Sequence, residues 1–166
     1  MSRTLILVRH AKSDHPSGTG DHDRPLNDRG RPDAVQMGAW LTSAGHVPEH
    51  VLCSTAVRAR QTLDGLREGG IDAPAEYEAR LYHAAPDTLR WALAGRPERV
   101  LMIVAHNPGI GILAAQLARP APDHPRFADY PTCATTVLRF DAEDWANAVN
   151  TTGTVAAFAV PRDLAE

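Results

Sequence analysis

The run Thr4-Leu5-Ile6-Leu7-Val8 is continuously apolar and passes abruptly into Arg9-His10-Ala11-Lys12-Ser13. An unbroken apolar run of this length is typical of a strand that is buried on both faces of a sheet. It is too short for the core of a signal peptide or for a membrane span. We therefore predict a central strand from Thr4 to Val8, with Arg9 and His10 at its carboxyl end.

A second strong strand, Arg99 to Val104, is followed by His106-Asn107-Pro108-Gly109. Strands alternate with helical patterns along the chain, which predicts an α/β three-layer sandwich with a mostly parallel central sheet covered by helices. The predicted helices run from Asp28 to Ala44, from a cap at Ser54 or Thr55 to Gly69-Gly70, from Pro86 to Leu93 and from Ile110 to Leu117. Further strands are predicted at Val51–Cys53, around Ala75–Leu81 and at Cys133–Phe140 and Gly153–Val160, the last two as an antiparallel edge.

Composition favours one ordinary globular domain over residues 1–166, because no linker or repeat divides the chain. The net charge of -3 gives no general attraction to nucleic acid or to an anionic membrane, so any basic site must be local. Cys53 and Cys133 are too few for a disulfide framework. We expect two buried thiols in a reducing compartment, and hence a cytoplasmic protein.

Charged and titratable residues follow three of the predicted strands. Arg9 and His10 follow the first, Arg58 begins the helix after the second, and His106 and Asn107 follow Val104. Ligands of parallel sheets bind beyond the carboxyl ends of the strands, so these residues should converge. Arginine presents a fork of donors that matches phosphate oxygens, and a neutral imidazole can attack phosphorus. The pattern predicts a phosphate pocket with a candidate histidine nucleophile.

The same residues carry a resemblance to a known family. The ordered segments are Leu5-Ile6-Leu7-Val8-Arg9-His10-Ala11-Lys12-Ser13, Asp23-Arg24-Pro25-Leu26, Ser54-Thr55-Ala56-Val57-Arg58-Ala59-Arg60-Gln61-Thr62 and Val104-Ala105-His106-Asn107-Pro108-Gly109. Together they resemble the histidine phosphatase superfamily, which has the phosphoglycerate mutase-like fold. More narrowly, the chain resembles its short SixA-type phosphohistidine phosphatase branch.

The resemblance implies a role for each matching residue. His10 would be the nucleophile that accepts the phosphoryl group, and water would then release it. Arg9 and Arg58 would bind the phosphate, with His106 as a second pocket histidine. Arg24 would be a further substrate contact, and we also place Asn107 among the substrate-binding residues. The implied enzyme is a hydrolase of phosphoric monoesters or phosphoramidates that needs no cofactor and no metal.

Two positions depart from the superfamily pattern. Ala11 stands where glycine is usual, a variant that is familiar among the short members. Larger relatives also carry an acidic proton donor for the leaving group, and no residue of this chain matches that pattern. The titratable residues of that region are Glu76, Glu78, Tyr82, His83 and Asp87. A missing donor favours leaving groups that depart readily, such as the imidazole of phosphohistidine.

Other interpretations of the sequence stay open at this stage. A module that binds phosphate or phosphohistidine without turnover would keep the pocket, and a phosphomutase would need the insertions of larger relatives. The remaining histidines fit no zinc pattern and are interpreted as solvated loop residues, namely His15, His22, His46, His50, His83 and His124. Trp40, Trp91 and Trp145 are interpreted as core or helix-packing residues. We expect a monomer whose partner is a phosphorylated protein or small molecule, with no nucleic acid and no membrane.

Overall fold

The computed structural model describes residues 2–165, in which strands and helices alternate; Met1 and Glu166, the ends of the predicted domain, lie outside the described residues. The strands are β1 (Ser2–Arg9), β2 (His50–Ser54), β3 (Ala75–Glu78), β4 (Val100–Ala105), β5 (Thr135–Asp141) and β6 (Thr154–Ala159). The helices are α1 (Gly30–Ser43), α2 (Val57–Glu68), α3 (Pro86–Leu93), α4 (Gly109–Leu117), α5 (Trp145–Ala148) and α6 (Pro161–Leu164). Short 3-10 helices occupy Asp21–Asp23 and Ala79–Leu81.

All six strands form one sheet in the order β3-β2-β4-β1-β5-β6. Strands β3, β2, β4 and β1 run parallel to one another, whereas β5 is antiparallel to both β1 and β6. The predicted fold class is therefore confirmed, with two antiparallel strands forming one side of the sheet. The carboxyl ends of β1, β2 and β4 meet at one edge, as the predicted pocket requires.

Alternate side chains of β1 pack into two separate hydrophobic cores, one on each face of the sheet. Leu5 and Leu7 are fully buried against the core that contains α3, α4 and α5. Ile6 and Val8 are fully buried against the core that contains α1 and α2. This burial on both faces explains the uninterrupted apolar run, because neither face of β1 meets water.

Helix starts and one tryptophan differ from the sequence predictions. Helix α1 begins at Gly30 rather than Asp28, because the Asn27 side chain accepts hydrogen bonds from the backbone amides of Arg29 and Gly30. Helix α2 begins at Val57 after Ala56 and has no side-chain cap, so the predicted cap at Ser54 or Thr55 is wrong. Trp91, interpreted from sequence as a core or helix-packing residue, is 68% exposed, so the core interpretation is wrong for Trp91.

Helices α1 and α2 approach each other through Gly38, where an added methyl group would overlap the Leu66 carbonyl oxygen. Because that neighbour is backbone, no change of rotamer can relieve the overlap. We expect Gly38→Ala to lower the free energy of unfolding by about 2 kcal/mol. Gly20→Ala is the control, since a methyl group added there would meet nothing within 4 Å and the φ of -67° suits alanine. Urea denaturation of both variants measures the difference, and equal stabilities would contradict the close packing.

Candidate active site

The register of the sheet places the two candidate histidines side by side. Arg9 pairs with Ala105 across β1 and β4, and the backbone amide of His10 donates to the Ala105 carbonyl at 3.0 Å. His10 and His106 are therefore the first residues beyond two adjacent parallel strands. Their ring centroids lie 5.1 Å apart. Sequence positions 96 residues apart meet because both follow strands of the same parallel pair.

His10 is buried and held in one tautomer. Its Nδ1 lies 2.8 Å from the Ala11 carbonyl oxygen, which can only accept, so Nδ1 carries the proton and Nε2 keeps its lone pair. Burial first, and then the charges of Arg9 and Arg58, lowers the pKa of His10 to about 3. The ring is consequently neutral at physiological pH and its Nε2 is available as a nucleophile.

His106 is also buried and neutral. Burial, followed by the neighbouring His10 and Arg58, lowers its pKa to about 2. Its Nε2 lies 2.8 Å from Ser54 Oγ, which itself accepts a hydrogen bond from the Ala56 amide. The Ser54 hydroxyl can therefore donate to Nε2, which puts the ring proton on Nδ1. This Nδ1 is buried and has no hydrogen-bond partner among residues 2–165.

Arg9 and Arg58 bring two guanidinium groups to the same edge. Arg58 is only 1% exposed, and its Nη1 and Nη2 donate to Asp21 O at 2.6 Å and Asp21 Oδ2 at 3.1 Å. Arg9 Nη1 donates to the Tyr130 carbonyl at 3.2 Å. The Nε atoms of both arginines are buried without a partner in the described part of the chain. Buried unpaired donors are costly, so these two groups are arranged to bind an anion.

Thr62 joins the segments that carry the nucleophile and Arg58. Its hydroxyl accepts from the Ala11 amide at 2.9 Å and donates to the Arg58 carbonyl at 2.7 Å. Both contacts are buried, and Ala11 itself is fully buried. The small residue after His10 is thus enclosed, and its amide is fixed to the helix that carries Arg58.

Asp21 is a site residue that the sequence reasoning missed. Its carboxylate accepts from the Tyr82 hydroxyl, from Arg58, and from Arg24 Nε at 3.1 Å, and it lies 2.9 Å from His83 Nε2. Hydrogen bonds from Tyr82 and His83 hold the pKa of Asp21 well below its usual range. Asp21 is therefore an anion that orients its neighbours and cannot serve as a proton donor. Nothing in the polar loop distinguishes Asp21 from Asp14 or Asp23, so no sequence signal could have identified it.

A pocket of about 230 Å³, here called the His10 pocket, lies beside the two histidines and the two arginines. All six predicted site residues line it, namely Arg9, His10, Arg24, Arg58, His106 and Asn107. Lys12, Ser13, His15, His83 and Thr132 complete its lining. His15 and His83, interpreted from sequence as solvated loop residues, thus lie at the pocket, and His15 contacts Arg24.

The two predicted substrate contacts, Arg24 and Asn107, both form hydrogen bonds within the protein. Arg24 Nη1 donates to Ser13 Oγ at 2.9 Å while its Nε is held by Asp21. Asn107 donates to the carbonyl groups of Asp129 and Tyr130, and its Oδ1 accepts from the Gly111 amide. These bonds fix the loop beside His106. Direct substrate contact by Arg24 or Asn107 stays a prediction.

The lowered pKa values of the two histidines make the fold sensitive to acid. In the unfolded chain histidine titrates near 6.5, so at lower pH the unfolded state binds more protons and stability falls as pH falls. We expect a loss of about 2 kcal/mol for each histidine between pH 6.5 and pH 5. Urea denaturation at both pH values measures it, with His106→Gln as the test variant. The variant should lose less stability than the wild type on acidification, and an identical loss would contradict the buried neutral ring.

Comparison with known proteins identifies the family. The model of the histidine phosphatase superfamily (branch 1) matches residues 5–85. An uncharacterised protein of Mycobacterium tuberculosis is 41% identical over 162 residues, covering 93% of this chain and 100% of the relative. Two solved structures assigned as phosphohistidine phosphatases SixA are also similar. The one from Nakamurella multipartitia is 30% identical, with a TM-score of 0.80 and 97% coverage of both chains. The one from Agrobacterium tumefaciens is 24% identical, with a TM-score of 0.76, and coverage of 96% of this chain and 98% of that chain.

The α/β sheet, the histidines and arginines beyond its parallel strands and the similar proteins all indicate the same class of protein. The chain belongs to the histidine phosphatase superfamily, and it is structurally similar to the SixA proteins over nearly its whole length. Within residues 2–165 no helix is both long enough and apolar enough to cross a membrane.

Proposed function

We propose that this protein is a phosphatase that transfers a phosphoryl group to His10 and then to water. The observation that carries the proposal is the state of His10, a buried neutral imidazole whose Nδ1 is fixed by the Ala11 carbonyl. That hydrogen bond leaves Nε2 as the reacting atom. A histidine that only bound phosphate would gain from being charged, whereas this one is held neutral.

In the first step Nε2 of His10 attacks phosphorus, and the bond between phosphorus and the leaving group breaks. Arg9 and Arg58 hold the phosphoryl oxygens and stabilise the charge that develops on them. His106, through Nδ1–H, donates a further hydrogen bond to an oxygen. In the second step water attacks phosphorus, the bond to Nε2 breaks, and inorganic phosphate leaves with the neutral ring restored.

We infer that the substrate is protein phosphohistidine or a small phosphorylated compound. The SixA proteins with similar structures are assigned as phosphohistidine phosphatases. The Asp21 carboxylate, which accepts from Arg24 and Arg58 at the pocket, is held ionised, so Asp21 cannot protonate a poor leaving group. Both points favour a leaving group that departs without help from a carboxylic acid, such as the imidazole of phosphohistidine.

A panel of phosphorylated substrates tests this function. It should contain a phosphohistidine protein, aryl phosphates and small alkyl phosphates, each assayed for phosphate release. We expect the highest kcat/KM for the phosphohistidine protein or the activated aryl phosphates. Binding of phosphate or vanadate without release from any substrate would instead support a binding module. Transfer to a second alcohol in place of water would support a phosphomutase.

A further inference from the structure

A second cavity, of about 390 Å³, adjoins the His10 pocket and shares Arg9, Lys12 and Thr132 with it. We call it the basic cavity. Its remaining charged lining comes from the start of α1 (Arg29, Asp33), the segment before β5 (Arg126, Asp129) and α6 (Arg162). The three shared residues make the two spaces direct neighbours, so a molecule whose phosphate reaches His10 has the basic cavity beside it.

The charge of this cavity is unbalanced. Arg126 pairs with Asp129 at 3.0 Å, and Arg29 lies 3.8 Å from Asp33. Arg9, Lys12 and Arg162 are then left, and none of them forms an ion pair with a carboxylate of residues 2–165. The whole chain carries a net charge of -3, so this concentration of positive charge does not follow from composition.

We propose that the basic cavity binds a second anionic group, a phosphate or carboxylate, of a small substrate whose other phosphate is transferred to His10. This inference rests on the proposed function and names the substrate class for the same site. Arginine forks suit phosphate and carboxylate oxygens, and several of them around one cavity can bind the same anion together. Lys12 and Arg9 stand between the two anions and contribute to binding both.

Inhibition by non-hydrolysable probes tests the proposal. Linear α,ω-alkane bisphosphonates of increasing chain length are compared with alkyl monophosphonates as competitive inhibitors of p-nitrophenyl phosphate hydrolysis. We expect one chain length to bind at least about tenfold more tightly than its monophosphonate, because only the bisphosphonate reaches both sites. No advantage at any length would overturn the proposal, and so would tighter inhibition by an acidic peptide than by every bisphosphonate.

Substitutions in the basic cavity test whether its residues cause the tighter binding of the bisphosphonate. Arg162→Gln and Arg29→Gln change residues that line the basic cavity and not the His10 pocket. Each should remove most of the bisphosphonate advantage and leave the monophosphonate inhibition constant unchanged. Arg31→Gln is the matched control, because Arg31 is exposed in the first turn of α1, two residues after Arg29, and does not line the basic cavity. If the wild type hydrolyses nothing, calorimetric titration with the same probes still tests the cavity, so failure of the function and failure of the site are distinguishable.

An independent observation concerns His83, which lies at the His10 pocket in an unusual backbone conformation. Its φ is +52°, in the left-handed region that side chains rarely adopt. Its Nε2 lies 2.9 Å from the ionised Asp21 carboxylate, and its ring centroid is 5.2 Å from that of His106. An anion accepts the Nε2 proton, so the arrangement is an aspartate–histidine pair beside the reacting groups. Such a pair orients an imidazole for proton transfer through its other nitrogen.

The geometry points to His83 as the proton donor to the leaving group, in the place of the carboxylic acid used by larger relatives. In the first step His83 acts as an imidazolium paired with the Asp21 carboxylate, and its Nδ1 gives a proton to the leaving oxygen or nitrogen as the bond to phosphorus breaks. In the second step the neutral Nδ1 accepts a proton from the attacking water. The two transfers return His83 to its starting state, with Asp21 holding Nε2–H throughout.

A leaving-group series separates this role from a structural one. We expect His83→Gln to lower kcat/KM about 100-fold for phenyl phosphate, whose phenolate leaves poorly, and less than about threefold for 2,4-dinitrophenyl phosphate. His22→Gln is the control, since His22 bonds to Thr55 and does not line the pocket. An equal loss on both substrates would overturn the assignment. Wild-type hydrolysis of both substrates is the prerequisite that tests the proposed function itself.

Discussion

Replacement of His10 by alanine should lower phosphate release from p-nitrophenyl phosphate by at least about 10⁴-fold, because the atom that forms the covalent intermediate is removed. His10 is only 6% exposed and its Nε2 is the one free nitrogen of the ring. The loss should therefore be in kcat as well as in kcat/KM. His46→Ala is the control, since His46 lies beside Trp40 after α1 and lines neither cavity described above.

The intermediate itself should be detectable. Wild-type protein mixed with a labelled aryl phosphate and quenched in alkali should retain label, since phosphohistidine survives alkali and hydrolyses in acid. His10→Ala should retain none. Label that persists in the His10 variant, or substantial turnover by it, would contradict nucleophilic attack by His10.

The second large effect is expected at Arg58. Arg58→Gln should lower kcat/KM by about 10³-fold, because a buried guanidinium that stabilises the transferring phosphoryl group is lost. Arg58→Lys should recover only part of the activity, since a lysine keeps the charge but cannot make the paired contacts of a planar fork. Arg60→Gln is the matched control on the same helix, because Arg60 is exposed and packs on Tyr77.

Removing Arg58 also leaves Asp21 with fewer partners, so stability must be measured alongside activity. Thermal unfolding of each variant shows whether the protein remains folded at the assay temperature. A folded Arg58→Gln protein with nearly wild-type kcat/KM would remove Arg58 from the proposed mechanism. A loss of similar size in Arg60→Gln would show that the effect belongs to the helix and not to the pocket.

The local sequence predicts those parts of the fold and site that depend on strand ends. The apolar runs before His10 and His106 are strands because both faces of each are buried, and residues that follow parallel strands must share an edge. Periodicity alone could not choose between Arg58 and Arg60, and the family motif selected Arg58. The structure places Arg58 at the pocket and leaves Arg60 exposed.

Contacts between loops were beyond prediction. Asp21, Tyr82 and His83 belong to segments about 60 residues apart, and no periodicity or spacing links an acidic residue in one loop to a tyrosine and a histidine in another. The cap predicted at Ser54 is wrong because Ala56 occupies the N-cap position, and Ser54 Oγ bonds both to the Ala56 amide and to His106. At each of these positions the side chain bonds to a residue that is remote in the sequence, and local sequence preferences do not predict such a bond.

The part of the chain that matches the family model is shorter than the part that is needed to build the sheet around β1. The family match ends at residue 85, yet both strands that flank β1 lie later in the chain, β4 at Val100–Ala105 and β5 at Thr135–Asp141. A nascent chain that has emerged only to residue 85 carries His10 and Arg58 but lacks both backbone partners of the strand that presents the histidine. Assembly of the nucleophile must therefore await the synthesis of β4 and β5, and a truncation that removes these two strands removes the site while residues 5–85 remain.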